Sequence, residues 1–302
     1  MRVRVLGSAA GGGFPQWNCG CGNCALARAG DARVKPRTQD SIAFAAGGSD
    51  GAGASWNVVN ASPDIRAQIE ANAVLHPRAA RHTPIRSILL TNGDLDHVLG
   101  LFSLRESTPL VIWATDAVRA GLEERNAMMR TLHRFPEQIT WKRLELGKSV
   151  ELGDGTSVEA RPVGGKAPVH LTGLAPSTPE DNVALWVRDG SRLVVYAAAC
   201  ASLDGLEAAF DDADVLFLDG TFWSSDELVA AGLSRARAED MAHLPVGGER
   251  GSIARLAASR ARRKIFTHVN NSNPILVEGS PEHRAVTAAG WEVAWDGMEI
   301  QA

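Results

Sequence analysis

Short apolar runs of strand length, each rich in branched residues, recur along the chain, and their spacing constrains the fold more than any other feature. They cover Ser41 to Ala45, Trp56 to Val59, Ile85 to Leu90, Leu110 to Trp113, Val183 to Val187, Leu193 to Ala197, Val215 to Leu218 and Lys264 to Thr267. Arg2 to Leu6 alternates polar and apolar and reads as an opening strand, broken by Gly7 and Gly11-Gly12-Gly13. Helical patterns lie between the runs at Pro63 to Asn72, Thr115 to Glu124, Ser225 to Leu233, Ser252 to Ala261 behind a Ser cap, and Glu282 to Ala289. Strands are expected again near Trp291 to Ala294 and Met298 to Gln301. Several strands precede a mixture of helices and strands, and that order repeats once. Two packed sheets with helices outside fit it better than a simple alternating βαβ wind. The 302 residues, 45% of them hydrophobic, can bury a sizeable core, and a single domain over 1–302 is expected. Gly47 to Gly53 reads as a hairpin tip, and the Pro-containing stretch Val163 to Asp181 as a loop beside the site.

Charge excludes some classes of partner. With 31 basic and 35 acidic residues and a net charge of -4, the chain has no strong field for a polyanion, so no nucleic-acid partner is expected. No apolar run approaches the roughly 18 residues of a membrane helix, and the N-terminus enters strand-like alternation directly. A cytoplasmic protein with no membrane partner is expected.

Three of the four cysteines fall within Asn18-Cys19-Gly20-Cys21-Gly22-Asn23-Cys24. Small residues between Cys19, Cys21 and Cys24 let the backbone fold tightly enough for three thiolates to meet one ion, as structural zinc requires. Spacing does not identify the fourth ligand. Cys200 follows a strand and reads as a core thiol.

A second group stands at strand ends. Thr91-Asn92-Gly93-Asp94-Leu95-Asp96-His97 follows the apolar run Ile85 to Leu90, and carboxylates beside an imidazole are costly to bury there unless paired or bound to a cation. Alone, the segment reads equally well as an Asn-Gly turn with Asp96 capping a helix. Asp219 and His268, however, each close a later strand, and His243 lies in a loop. If these strands share a sheet in parallel, Asp96, His97, Asp219 and His268 converge on one metal. His76, His82, His133 and His283 read as surface residues.

These motifs together resemble the metallo-β-lactamase fold superfamily, which implies an αββα sandwich. Its H-x-H-x-D-H signature falls on Asn92, Asp94, Asp96 and His97, so the last Asp-His pair matches and both early histidines are replaced. A phosphodiesterase branch carries a C-x-C-x-x-C zinc site matched by Cys19, Cys21 and Cys24, and its fourth ligand, a histidine, would fall on Asn271. Gly11-Gly12-Gly13-Phe14-Pro15-Gln16-Trp17-Asn18-Cys19, Asp219-Gly220-Thr221-Phe222-Trp223 and Thr267-His268-Val269-Asn270-Asn271-Ser272-Asn273-Pro274 are similar, over essentially the whole chain, to the pyrroloquinoline quinone (PQQ) biosynthesis protein B family.

That resemblance implies an Fe(II)- and O₂-dependent hydroxylase of the tyrosine ring of a Glu-Tyr unit cut from a precursor peptide, working alongside other PQQ biosynthesis proteins. Two histidines and a carboxylate suit Fe(II) with open positions, which assigns Asp96, His97 and His268 to the iron. Asp94 and Asp219 would complete the shell or orient ligands. His243 would take the phenolic proton of the substrate. Two other classes stay open: a two-zinc hydrolase, disfavoured by Asn92 and by Cys200, and a binding or transport protein for the cofactor or its precursor.

Overall fold

The computed structural model describes residues 1–48 and 53–302. In chain order the strands are β1 (Arg2–Gly7), β2 (Ser41–Ala45), β3 (Trp56–Val59), β4 (Ile85–Leu89), β5 (Leu110–Ala114), β6 (Ile139–Arg143), β7 (Ser149–Glu151), β8 (Thr156–Pro162), β9 (Val183–Asp189), β10 (Arg192–Ala197), β11 (Val215–Asp219), β12 (Arg263–Thr267), β13 (Trp291–Val293) and β14 (Glu299–Gln301). They form two seven-stranded sheets, ordered β14-β1-β2-β3-β4-β5-β6 and β13-β12-β11-β10-β9-β8-β7. Each sheet is mixed: β3 to β6 and β10 to β13 pair in parallel, and the remaining pairs are antiparallel.

Strand β10 explains why its apolar run is continuous. Leu193, Val195 and Ala197 point into one apolar cluster and Val194 and Tyr196 into another, so both faces are covered. The cluster between the sheets holds Val5, Phe44, Leu89, Leu185, Tyr196, Phe217 and Ile265. The other face of the first sheet, with Ala43, Val58, Ile88 and Ile112, packs on side chains of helices α2 (Ile65–Ala71), α3 (Leu95–Val98) and α4 (Asp116–Glu123). Trp186, Leu216 and Phe266 of the second sheet pack with Cys24 of α1 (Gly22–Arg28) and Val286 of α7 (Pro281–Ala288). Helices therefore cover both outer faces of an αββα sandwich.

Several elements depart from the sequence expectation. The patterns at Ser225 to Leu233 and Ser252 to Ala261 shrink to single turns, α5 (Glu227–Ala230) and α6 (Ser252–Arg255). Gly232 turns left-handed and ends α5. Beyond α6, Arg260 N–H donates to Asp211 at 3.0 Å and Arg262 N–H to the Ala213 carbonyl at 3.0 Å, so those donors serve the loop before β11 and not a helix. Strands β6, β7 and β8 carry no continuous apolar run; β6 and β7 close the open edges of the sheets, where polar residues are expected. Of the Gly47 to Gly53 hairpin tip, residues 49–52 lie outside the described residues, and β2 and β3 on either side are antiparallel neighbours. Among the described residues no helix is long and apolar enough to cross a membrane.

Candidate metal centres

Asp219 closes β11 and His268 follows β12, and these strands are parallel neighbours, so both residues emerge at one edge. Asp96 and His97 follow β4, which belongs to the other sheet. The expectation of one shared sheet is thereby corrected. The residues meet across two stacked sheets whose strand ends open on a common rim, a separation that side chains can bridge. A second correction concerns the helix after β4, whose N-cap residue is Asp94, with Asp96 in its first turn.

At this rim Asp96 Oδ2 lies 3.2 Å from His268 Nε2 and 3.8 Å from His97 Nε2. The ligand atoms of Asp96, His97 and His268 fall within 4.8 Å of one another, as do those of Asp219, His243 and His268. Both sets could hold a metal ion, and His268 belongs to both. His97 is buried, and its Nε2 has no hydrogen-bond partner among the described residues, whereas its Nδ1 sits 3.3 Å from Thr91 Oγ1. An unpartnered nitrogen beside a carboxylate and a second imidazole is the donor chemistry a divalent metal satisfies.

Thr221, which sequence reasoning missed, orders the second set. Its hydroxyl donates to Asp219 Oδ1 at 2.6 Å and lies 2.9 Å from His268 Nδ1, which can donate to it. His243 Nδ1 donates to Asp219 Oδ2 at 2.6 Å, and the Cys200 backbone N–H donates to the same oxygen at 2.8 Å. Cys200 itself is a buried core thiol, pushed up to about 12 by burial. Asn92, at the position of a superfamily histidine, bonds Asn182 at 3.1 Å and so ties the strand end to the edge of the Val163 to Asp181 stretch. A hydroxyl two residues past a strand-end aspartate, or just before the turn as in Thr91, is a signal too common to single out Thr221 or Thr91 from sequence.

Burial disfavours a charged His97 ring and lowers it to about 4 despite Asp96. Burial acts on His268 in the same direction, but its bond to Asp96 and the charges of Asp96, Asp40 and Asp219 outweigh that and raise it to about 9. Burial also opposes the charge on Asp96, yet the two imidazoles hold its carboxyl well below the usual range. Asp94, on the same rim, is raised to about 6 by burial and by Asp96. Burial and the neighbouring imidazoles and carboxylates together pull these groups apart, as at sites that bind metals or move protons. They line a cavity of about 200 Å³ with Lys166 and His243.

The cysteine group lies around the start of α1, where Cys21 is the N-cap residue. All three thiols are free, and their sulfurs fall within 4.8 Å of one another. Asn271 stands where the fourth ligand was sought: its side-chain nitrogen is 3.1, 3.7 and 3.4 Å from the sulfurs of Cys19, Cys21 and Cys24. Burial works against a Cys19 thiolate, but the Cys21 backbone N–H and bonds from Cys21, Cys24 and Asn271 lower its pKa, while burial lifts Cys21 to about 11. Three convergent soft donors fit zinc.

Comparison with known proteins agrees with this architecture. A profile described as a beta-lactamase superfamily domain matches residues 55–269. Coenzyme PQQ synthesis protein B of Methylobacterium radiotolerans is 45% identical over 306 residues, covering 99% of each chain. That of Rhizobium meliloti is 42% identical, covering 100% of this chain and 98% of its own. The crystal structure of Zn(2+)-bound PqqB from Methylobacterium extorquens superposes with a TM-score of 0.93 at 41% identity over 100% of both chains. A diphosphatase from the PhnP family, at 18% identity and a TM-score of 0.66, covering 100% of this chain and 97% of that one, shares the fold. With identity of this level over its whole length, the chain belongs to the coenzyme PQQ synthesis protein B family, within the beta-lactamase superfamily.

Proposed function

We propose that the chain is an iron- and oxygen-dependent hydroxylase of the tyrosine ring of a peptide-derived Glu-Tyr unit in PQQ biosynthesis. The observation that carries this reading is the donor set Asp96, His97 and His268 with the unpartnered, buried Nε2 of His97. Leaving such a nitrogen unsatisfied costs about 1–3 kcal/mol, a cost that metal ligation removes. Two imidazoles and a carboxylate suit Fe(II), which when bound would supply O₂ activation beside the substrate ring.

The chain's own groups do the remaining work. Asp219 holds Nδ1 of His243, which leaves the other ring nitrogen to accept the phenolic proton of the substrate and make its ring more electron-rich. Lys166, the one Lys or Arg lining the cavity among the described residues, offers a positive charge to a substrate carboxylate. Asp94 stands at the same cavity as a further ligand or an orienting group. In this reading Cys19, Cys21 and Cys24 hold a structural zinc, residues 1–302 act as one domain in the cytoplasm, and other PQQ biosynthesis proteins supply the substrate and take the product.

A two-metal hydrolase is the second reading, favoured by the adjoining group Asp219, His243 and His268. Protein purified without oxygen, with iron and zinc counted separately and then given Glu-Tyr, O₂ and ascorbate as the two-electron reductant that ring hydroxylation needs, tests both. One cavity iron and a product carrying one added ring oxygen support the hydroxylase. Two cavity zinc ions and no oxygen incorporation overturn it.

A further inference from the structure

Asp40 is a fully buried carboxylate outside both donor groups, immediately before β2. It accepts a hydrogen bond from Thr267 Oγ1 at 2.5 Å and another from the hydroxyl of Tyr196, the single tyrosine of the chain. Asp40 leads into the first sheet, whereas Tyr196 on β10 and Thr267 at the end of β12 belong to the second. Filling a seam between sheets needs only an apolar side chain, and a buried carboxylate is costly by comparison.

The residue after Thr267 gives this carboxylate a role. His268 has a left-handed backbone, with φ of 54°, and a non-glycine residue in that region costs about 1–3 kcal/mol unless its surroundings over-determine it. Two backbone bonds restrain this turn, Gly220 N–H to the Thr267 carbonyl at 2.8 Å and Val269 N–H to the Ser8 carbonyl at 2.9 Å, and Thr221 Oγ1 lies 2.9 Å from the His268 carbonyl. The bond from Thr267 to Asp40 adds a side-chain tie from the opposite sheet. Asp96 and His97 follow a strand of that opposite sheet, so the donor set is split between the two halves of the sandwich. Its geometry depends on how the halves are held together.

We propose that Asp40 is a positioning residue which, through the Thr267 hydroxyl, ties the strand end carrying His268 to the sheet that carries Asp96 and His97, and so sets the metal affinity of the cavity. The inference rests on the metal-centre reading above. Cobalt(II) titration of the full chain tests it, with cobalt on the cysteine group told apart by its thiolate absorption.

Thr267→Val keeps the shape and removes the hydroxyl, and Thr267→Ser keeps the hydroxyl. Loss of an outer-shell partner of a ligand weakens metal binding by about 10–100-fold, which is expected for Thr267→Val and Asp40→Asn, with Thr267→Ser within about two-fold of the wild type. If Asp40→Asn does not fold, the two Thr267 variants carry the test. Equal cavity affinity in Thr267→Val and the wild type, or equal weakening in both Thr267 variants, overturns the inference alone. A wild-type chain that takes up cobalt only on its cysteines overturns the metal-centre reading with it.

Discussion

The two donor groups are built in opposite ways. Cys19, Cys21 and Cys24 come from one glycine-containing turn, so their convergence needs little beyond local backbone folding. Asp96 and His268 stand 172 positions apart and meet only because β4 and β12 sit in facing sheets with their ends on one rim. A local cluster is a property of spacing, whereas an assembled cluster is a property of the packed sandwich. The two nevertheless share one strap. From His268 at the cavity the chain runs to Asn271, whose amide meets the three sulfurs, and to Asn273, whose side chain donates to the Gly220 carbonyl at 2.8 Å.

The largest expected effect separates the groups outright. His97→Ala or His268→Ala should abolish iron binding at the cavity and leave the cysteine-held zinc in place, read by metal analysis of anaerobically purified protein. Full iron occupancy in both variants would sink the assignment of these ligands. Cys21→Ser attacks the other group. Thiolate ligation contributes directly to folding, so zinc should be lost and the Tm should fall by about 10 °C. Cavity metal affinity should fall only a few-fold in that variant, transmitted through the Asn271 strap. A wild-type chain without zinc, with thiols that titrate freely, would contradict the prediction.

Glu227 sharpens the comparison by probing the strap between the groups. Its carboxylate accepts from Ser272 Oγ at 2.5 Å and from Trp223 N–H at 2.6 Å, and burial raises its pKa from 4.5 to about 7 despite both bonds. Through that window the folded chain retains a proton that the unfolded chain has released, so wild-type stability falls as pH rises. Gln cannot ionise. The stability difference between Glu227→Gln and the wild type should therefore move in the variant's favour between about pH 5 and about pH 8, by up to about 3 kcal/mol. A difference independent of pH in urea unfolding would show that Glu227 does not titrate there.

His243→Gln should leave stability nearly unchanged and test the cavity side alone. Retained iron with Glu-Tyr hydroxylation slowed about 100-fold and a displaced pH optimum supports proton transfer. Lost iron makes His243 a ligand, and unchanged turnover removes it from the chemistry.

Much of this was legible in the residues because it is local. Branched runs such as Val215 to Leu218 are apolar at every position since the strands are covered on both faces, and that pattern is read without knowing the partner strand. Edge strands β6 and β7 were not, because one of their sides faces no neighbour and selects no apolar run. Cys19, Cys21 and Cys24 were legible as a turn that gathers three thiols, and Asp96, His97, Asp219 and His268 as costly polar groups at strand ends. The sandwich alone decided that the ends of β4, β11 and β12 share one rim, that Asp94 and not Asp96 takes the N-cap position of α3 without a side-chain capping bond, and that Asn271 faces the sulfurs. It also decided that Thr221 meets the His268 ring and that Asp40 meets the neighbouring Thr267. Residue type and spacing determine which groups must be satisfied, but a buried carboxylate or imidazole finds its partner through contacts between distant segments, and these exist only once the sheets have packed.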